Sequence, residues 1–182
     1  MDFSFVILEE FPEEPNTSLQ ADEVGYRHFV SKTGAGHKSR LAIGSLMRIL
    51  EPWAMLKEFD SIGDRSPKIQ HHICDIEYQS DNGCKLGWKR GHWRLPENLP
   101  GWARRTAEVV KIEGMQLWEI AGEKSIVERV WFPESGQVYP PSYLPEICSP
   151  TDPTYITTEF EQLFEQKRFN WFWLYFCGAI SK

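Results

Sequence analysis

Apolar positions fall into three successive patterns along the chain. The first is a short continuous run, "SFVIL" at 4–8, which reads as a buried first strand. The acidic, proline-bearing "EEFPEEPNTSLQADE" that follows reads as an exposed loop, and 26–30 as a short second strand. From Ser39 onward Ala42, Leu46, Ile49, Leu50 and Trp53 recur at helical spacing. This predicts an amphipathic helix, which Pro52 divides into pieces at about 39–50 and 52–59 because proline lacks the N–H of a helix interior.

The second pattern is β. Strand-like runs cover 68–79, 84–95, 107–113, 115–121, 125–132 and a short piece near 137–139, joined by turn pairs such as Asn82-Gly83, Glu113-Gly114 and Gly122-Glu123. Short connections favour antiparallel neighbours, so these runs predict a meander. The third pattern follows a segment with five prolines at 140–153. Asp152-Pro153 supplies an N-cap and first helical residue, and Ile156, Phe160, Leu163 and Phe164 form the buried stripe of a helix to about Phe169. The tail 171–177 is apolar at both parities, as in a strand covered on both faces, with a continuing helix as the alternative.

The predicted fold class is α+β: a strongly curved antiparallel meander or partial barrel of about six to eight strands, with two or three helices packed on it or capping it. No linker or repeat divides the sequence, so the expectation is one domain spanning 1–182. At 182 residues such a domain needs neither disulfides nor metal to fold.

Cys74, Cys84, Cys148 and Cys177 show no CxxC pair, which favours free thiols and a cytoplasmic protein. The N-terminal apolar run is too short for a signal peptide, and "WFWLYFCGAI" at 171–180 has half the residues of a membrane-crossing helix. The net charge of −6 excludes an all-over electrostatic grip on nucleic acid but leaves room for a local patch.

Candidate chemistry concentrates in "HHICDIEYQSDNGCKLGWKRGHW" at 71–93. Its histidines and cysteines raise the question of zinc. A two-residue turn at Asn82-Gly83 answers it: Asp81 opposes Cys84, Cys74 opposes Gly91, and the two cysteines lie about 30 Å apart along the strand. They share no metal, and no metal or cofactor is expected. The same register predicts His72 beside Trp93, with Cys74, Ile76 and Tyr78 on the core face. It places Asp75 opposite Arg90 and diagonal to His92 on the outward face, together with Glu77. Such a trio supplies a base, its orienting carboxylate and an anion-stabilising guanidinium, a candidate catalytic set for an isomerase or hydrolase built on a barrel. Facing water, it is instead a surface ion-pair cluster.

Residues 84–105 carry six cations against one carboxylate. Lys85, Lys89, Arg90, Arg94, Arg104 and Arg105 are interleaved with Trp88 and Trp93. Cations among aromatics suit a phosphate-bearing, stackable ligand. This leads to the principal functional expectation, a non-enzymatic binding module for an anionic partner, either single-stranded nucleic acid or an acidic protein surface. The competing account is internal Arg–Trp packing and ion pairing. Two weaker motifs remain. "KTGAGHKSR" at 32–40 is a Gly-rich segment before the expected helix, but it lacks the phosphate-loop glycine pattern. Pro140, Pro141 and Tyr143 of "PPSY" have the form of a WW-domain ligand, which predicts an adaptor role.

Overall fold

The computed structural model describes residues 4–70, 75–79, 85–131, 146–148 and 153–178. In chain order the elements are β1 (Phe5–Glu10), β2 (Gln20–Ala21), β3 (Arg27–Val30), β4 (Gly36–Lys38), β5 (Leu46–Leu50), β6 (Trp53–Ala54), α1 (Pro67–Gln70), β7 (Glu77–Tyr78), β8 (Arg105–Gln116), α2 (Leu117–Ala121), α3 (Lys124–Val127), β9 (Val130–Trp131), β10 (Glu146–Cys148), α4 (Pro153–Lys167) and β11 (Trp171–Cys177). The class is α+β with a strongly curled half-barrel sheet, as the sequence predicts. Two compact units form: one from 1–46, 107–133 and 152–180, the other from 47–106, 134–151 and 181–182.

The first unit is organised by β11. This strand pairs antiparallel with β1 on one side and β8 on the other, and β9 adds to β1 in parallel. Phe172, Leu174 and Phe176 join Val6 and Leu8 in a core that Leu117, Ile120, Ile126 and Phe160 close from the helices. The opposite parity is also buried: Trp173 stands 4.4 Å from Phe11 and 5.6 Å from Phe29, ring centre to ring centre. Burying side chains of this size stabilises by about 1.5–3 kcal/mol each, which explains why an aromatic run forms the central strand. Phe29 belongs to a smaller antiparallel sheet, β2-β3-β4. Its entry turn is pinned by Asp22, whose Oδ1 accepts the N–H groups of Val24, Gly25 and Tyr26 at 2.9 Å each.

The second unit centres on β6. Trp53 and Ala54 pair antiparallel with Tyr78 and Glu77, while on the other side Trp53 bridges Arg94 and Leu56 bridges Arg90. Trp53, Met55, Ile69, Ile76, Tyr78, Leu99 and Ala103 form the core. Their polar atoms are satisfied internally: Trp53 Nε1 donates to Leu95 O at 3.1 Å, Trp102 Nε1 to Ile69 O at 2.9 Å, and Tyr78 Oη to Ala103 O. β5 pairs with β10 in parallel.

Several expected elements are different. The helix predicted over 39–50 is replaced by a turn with Gly44 at φ 89° and by β5. In β5 Met47 and Ile49 are buried while Leu46 and Arg48 are exposed, a two-residue alternation. Of the piece predicted at 52–59, only a 3-10 turn at Lys57–Phe59 is helical. The Gly-rich segment 32–40 opens no helix; it forms the β3–β4 turn and β4. Runs 107–113 and 115–121 are not two strands but one strand, β8, followed by helix α2. Gly114 sits inside β8 because an added Cβ would come within 2.6 Å of Leu19 Cδ1 and 2.9 Å of Phe11 Cζ. The run at 125–132 divides into α3 and β9.

Candidate functional site

The predicted 71–94 hairpin has no self-pairing among the described residues. Glu77-Tyr78 takes β6 as its partner, Gly87–Lys89 is a 3-10 turn, and Arg90 and Arg94 reach the other edge of β6. His71, His72, Cys74, Asn82, Gly83 and Cys84 lie outside the described residues, as do the 137–139 strand and Pro140, Pro141 and Tyr143. The face assignments hold for most of the rest. Ile76 and Tyr78 are buried, and Asp75 and His92 are exposed. Glu77 is the correction: it is 1% exposed, accepting Leu86 N–H at Oε2 (2.6 Å) and Arg90 Nη1 at Oε1 (3.3 Å). A buried carboxylate requires such partners.

The expected Asp75–His92 pair is also replaced. His92 Nδ1 lies 3.0 Å from Asp60 Oδ1, and the same oxygen accepts the His92 N–H at 3.1 Å. Gly91 makes the approach possible, since a Cβ there would fall 2.0 Å from Asp60 Oδ1. Asp75 instead faces Lys85 at 3.8 Å, and Lys85 Nζ donates to Ile76 O at 3.2 Å. Asp60 was invisible to sequence reasoning because it stands 32 residues from His92 and no local pattern joins them.

The cations divide into two groups. Arg94 is turned inward, donating from Nη1 to Ile62 O (2.9 Å) and Asp64 and from Nη2 to Phe59 O (3.0 Å), with its guanidinium 5.4 Å from the Trp53 ring. Arg105 grips Glu51, which is 0% exposed, through both Nε (2.9 Å) and Nη2, and lies 4.2 Å from the Tyr78 ring. Arg104 Nε donates to Leu99 O at 3.1 Å. Arg90 is half-buried between Glu77 and the Trp93 ring, 4.6 Å from its centre. These arginines hold loops together by charge-assisted hydrogen bonds and cation–π contact. The continuous cationic face expected from the sequence is therefore largely consumed by internal pairing.

What stays at the surface is the 3-10 turn. Trp88 is 88% exposed, and Lys89 Nζ lies 5.4 Å from its ring. With Leu56, Lys57 and Glu58 these two residues line a shallow groove of about 380 Å³. Gly87 takes φ 54°, a left-handed conformation that projects the turn outward at no side-chain cost. Lys57, Leu56 and Glu58 carry no motif that sequence reasoning recognises.

Among the described residues no helix is long and apolar enough to cross a membrane, and no group of three or more His, Cys, Asp or Glu is placed to hold a metal ion. Burial pushes the Cys177 thiol up to about 12, which leaves it an inert core residue. No protein-family model matches the chain, nor does any curated protein or solved structure.

Proposed function

We propose that the second unit is a non-enzymatic binding module in which Trp88 is a stacking platform and Lys57 and Lys89 supply positive charge, for an anionic partner of the single-stranded nucleic acid class. The observation that carries this reading is a large aromatic ring held almost entirely in water beside two lysines. An exposed aromatic gains nothing for the fold, whereas base stacking on such a ring contributes about 1–3 kcal/mol per base. Arg90 and Trp93 extend the surface, while Arg94, Arg104 and Arg105 act as its scaffold. An acidic protein surface is the alternative anionic partner. It needs the lysines but not the ring, so Trp88→Ala separates the two: loss of affinity supports stacking, and retained affinity supports a protein partner. Mobility shift against homopolymeric single-stranded DNA and RNA is the direct assay.

A second reading rests on the His92–Asp60 contact. A carboxylate at Nδ1 leaves Nε2 available for proton transfer, the arrangement of a general base. Isomerase or hydrolase chemistry with Arg90 as anion stabiliser would require His92→Ala to abolish turnover of a substrate that Trp88→Ala still turns over. The adaptor reading through Pro140, Pro141 and Tyr143 is tested by Tyr143→Ala in a WW-domain pull-down.

A further inference from the structure

We propose that a groove in the first unit, beside the turn between α4 and β11, binds a small organic cation bearing a quaternary ammonium group. The groove has a volume of about 440 Å³, within the roughly 300–1,000 Å³ range of small-ligand sites. Its walls include three aromatic residues, Phe11, Phe169 and Trp171, and three carboxylates, Glu10, Glu13 and Glu14, and its lining contains no Lys, Arg or His.

The aromatic part is held in place. Phe11, buried against Phe29 with ring centres 4.5 Å apart, backs the half-buried Trp171, whose ring centre lies 6.0 Å away with planes inclined by 22°. Phe169 is 68% exposed, yet its carbonyl accepts a hydrogen bond from Gln116 Nε2 at 3.0 Å, which fixes its position in the turn. As at Trp88, the fold gains little from an aromatic ring left in water.

The carboxylates narrow the choice of cation. Glu14 pairs with Lys32 at 2.7 Å, and Glu13 accepts from Thr33 Oγ1 at 2.7 Å and faces His37 Nε2 at 3.2 Å. Glu10 accepts from Asn170 Nδ2 at 2.7 Å and pairs with Lys167. A metal ion or primary ammonium would have to displace these partners to be solvated by oxygen. A quaternary ammonium has no N–H to donate and is weakly hydrated, so it gains from the ring faces of Trp171 and Phe169 beside carboxylates that keep their own partners.

The test titrates the full chain with choline and with its uncharged analogue in which carbon replaces the ammonium nitrogen, following tryptophan emission and the Trp171 indole N–H resonance. Saturable binding of choline about tenfold tighter than the analogue is expected. Phe169→Ala and Phe169→Leu should each weaken it by about fivefold at unchanged melting temperature, while Trp88→Ala leaves it intact. Equal binding of choline and the analogue would reduce the groove to an apolar patch and overturn the proposal. Indifference to both Phe169 variants, or no saturation at about 10 mM choline, would also overturn it. Binding of a trimethyl-lysine peptide without binding of free choline would refute a small-ligand site in favour of a protein partner.

Discussion

Arg94 and Trp88 lie six positions apart in one basic–aromatic stretch and have opposite fates. Arg94 is 7% exposed, beneath the carbonyls of Phe59 and Ile62 and beside Asp64. Arg105 and Glu51 repeat the arrangement, so truncating Arg105 removes two charge-assisted hydrogen bonds from a buried carboxylate. Arg105→Ala is expected to destabilise the chain by about 3 kcal/mol in chemical denaturation, because breaking a buried pair leaves one charge poorly compensated. Trp88→Ala should leave the midpoint within about 0.5 kcal/mol of the parent, as surface substitutions do. At Gly91 a methyl group would drive Asp60 away from His92, and Gly91→Ala should destabilise by about 1–3 kcal/mol. The sequence made the residue types legible but not these fates. Alternation correctly separated Ile76 and Tyr78 from Asp75, then failed at Glu77, whose burial depends on the Leu86 amide and Arg90, partners that no two-residue period can reveal.

At the scale of elements, β1, β11 and α4 were readable because each is specified locally. A continuous apolar run has to be covered, and Pro153 followed by a stripe containing Phe160 and Leu163 starts and orients a helix. β5 was not readable, since Leu46, Ile49 and Leu50 satisfy helical spacing as well as the strand that Met47 and Ile49 form with their exposed neighbours. The hairpin failed for a different reason: β6 lies between Tyr78 and Arg94, and a pairing across distant sequence prevails over a nearby turn signal. The turn before β3 carries a pH prediction. Hydrogen bonds from His28 and from the Val24, Gly25 and Tyr26 amides hold Asp22 down to about 2, and bonds from Ser31, Thr33 and His37 hold Glu13 down to about 2. Both folded-state values lie below those of the unfolded chain, so their contribution is complete above about pH 4.5 and is lost as pH falls towards 2. The protection factors of the amides at 24–26, which correct for the intrinsic pH dependence of exchange, should fall over that window in the parent, and Asp22→Asn should remove most of the dependence.

For the whole molecule, a net charge of −6 opposes long-range attraction of a polyanion, and the internal pairing of Arg90, Arg94, Arg105 and Lys85 removes most of what the sequence offered locally. Binding at the Trp88 surface should therefore depend more on stacking than on charge. With about two lysines engaging phosphates, the logarithm of affinity should fall against the logarithm of salt with a slope of about −1.4, whereas six engaged cations would give about −4. The most direct measurement is the affinity of the full chain for homopolymeric single-stranded DNA across a salt series, for the parent and for Trp88→Ala. The account predicts the shallow slope in the parent and an affinity loss of tenfold or more in the variant, at unchanged stability. A steep slope with Trp88→Ala binding as tightly as the parent would contradict it.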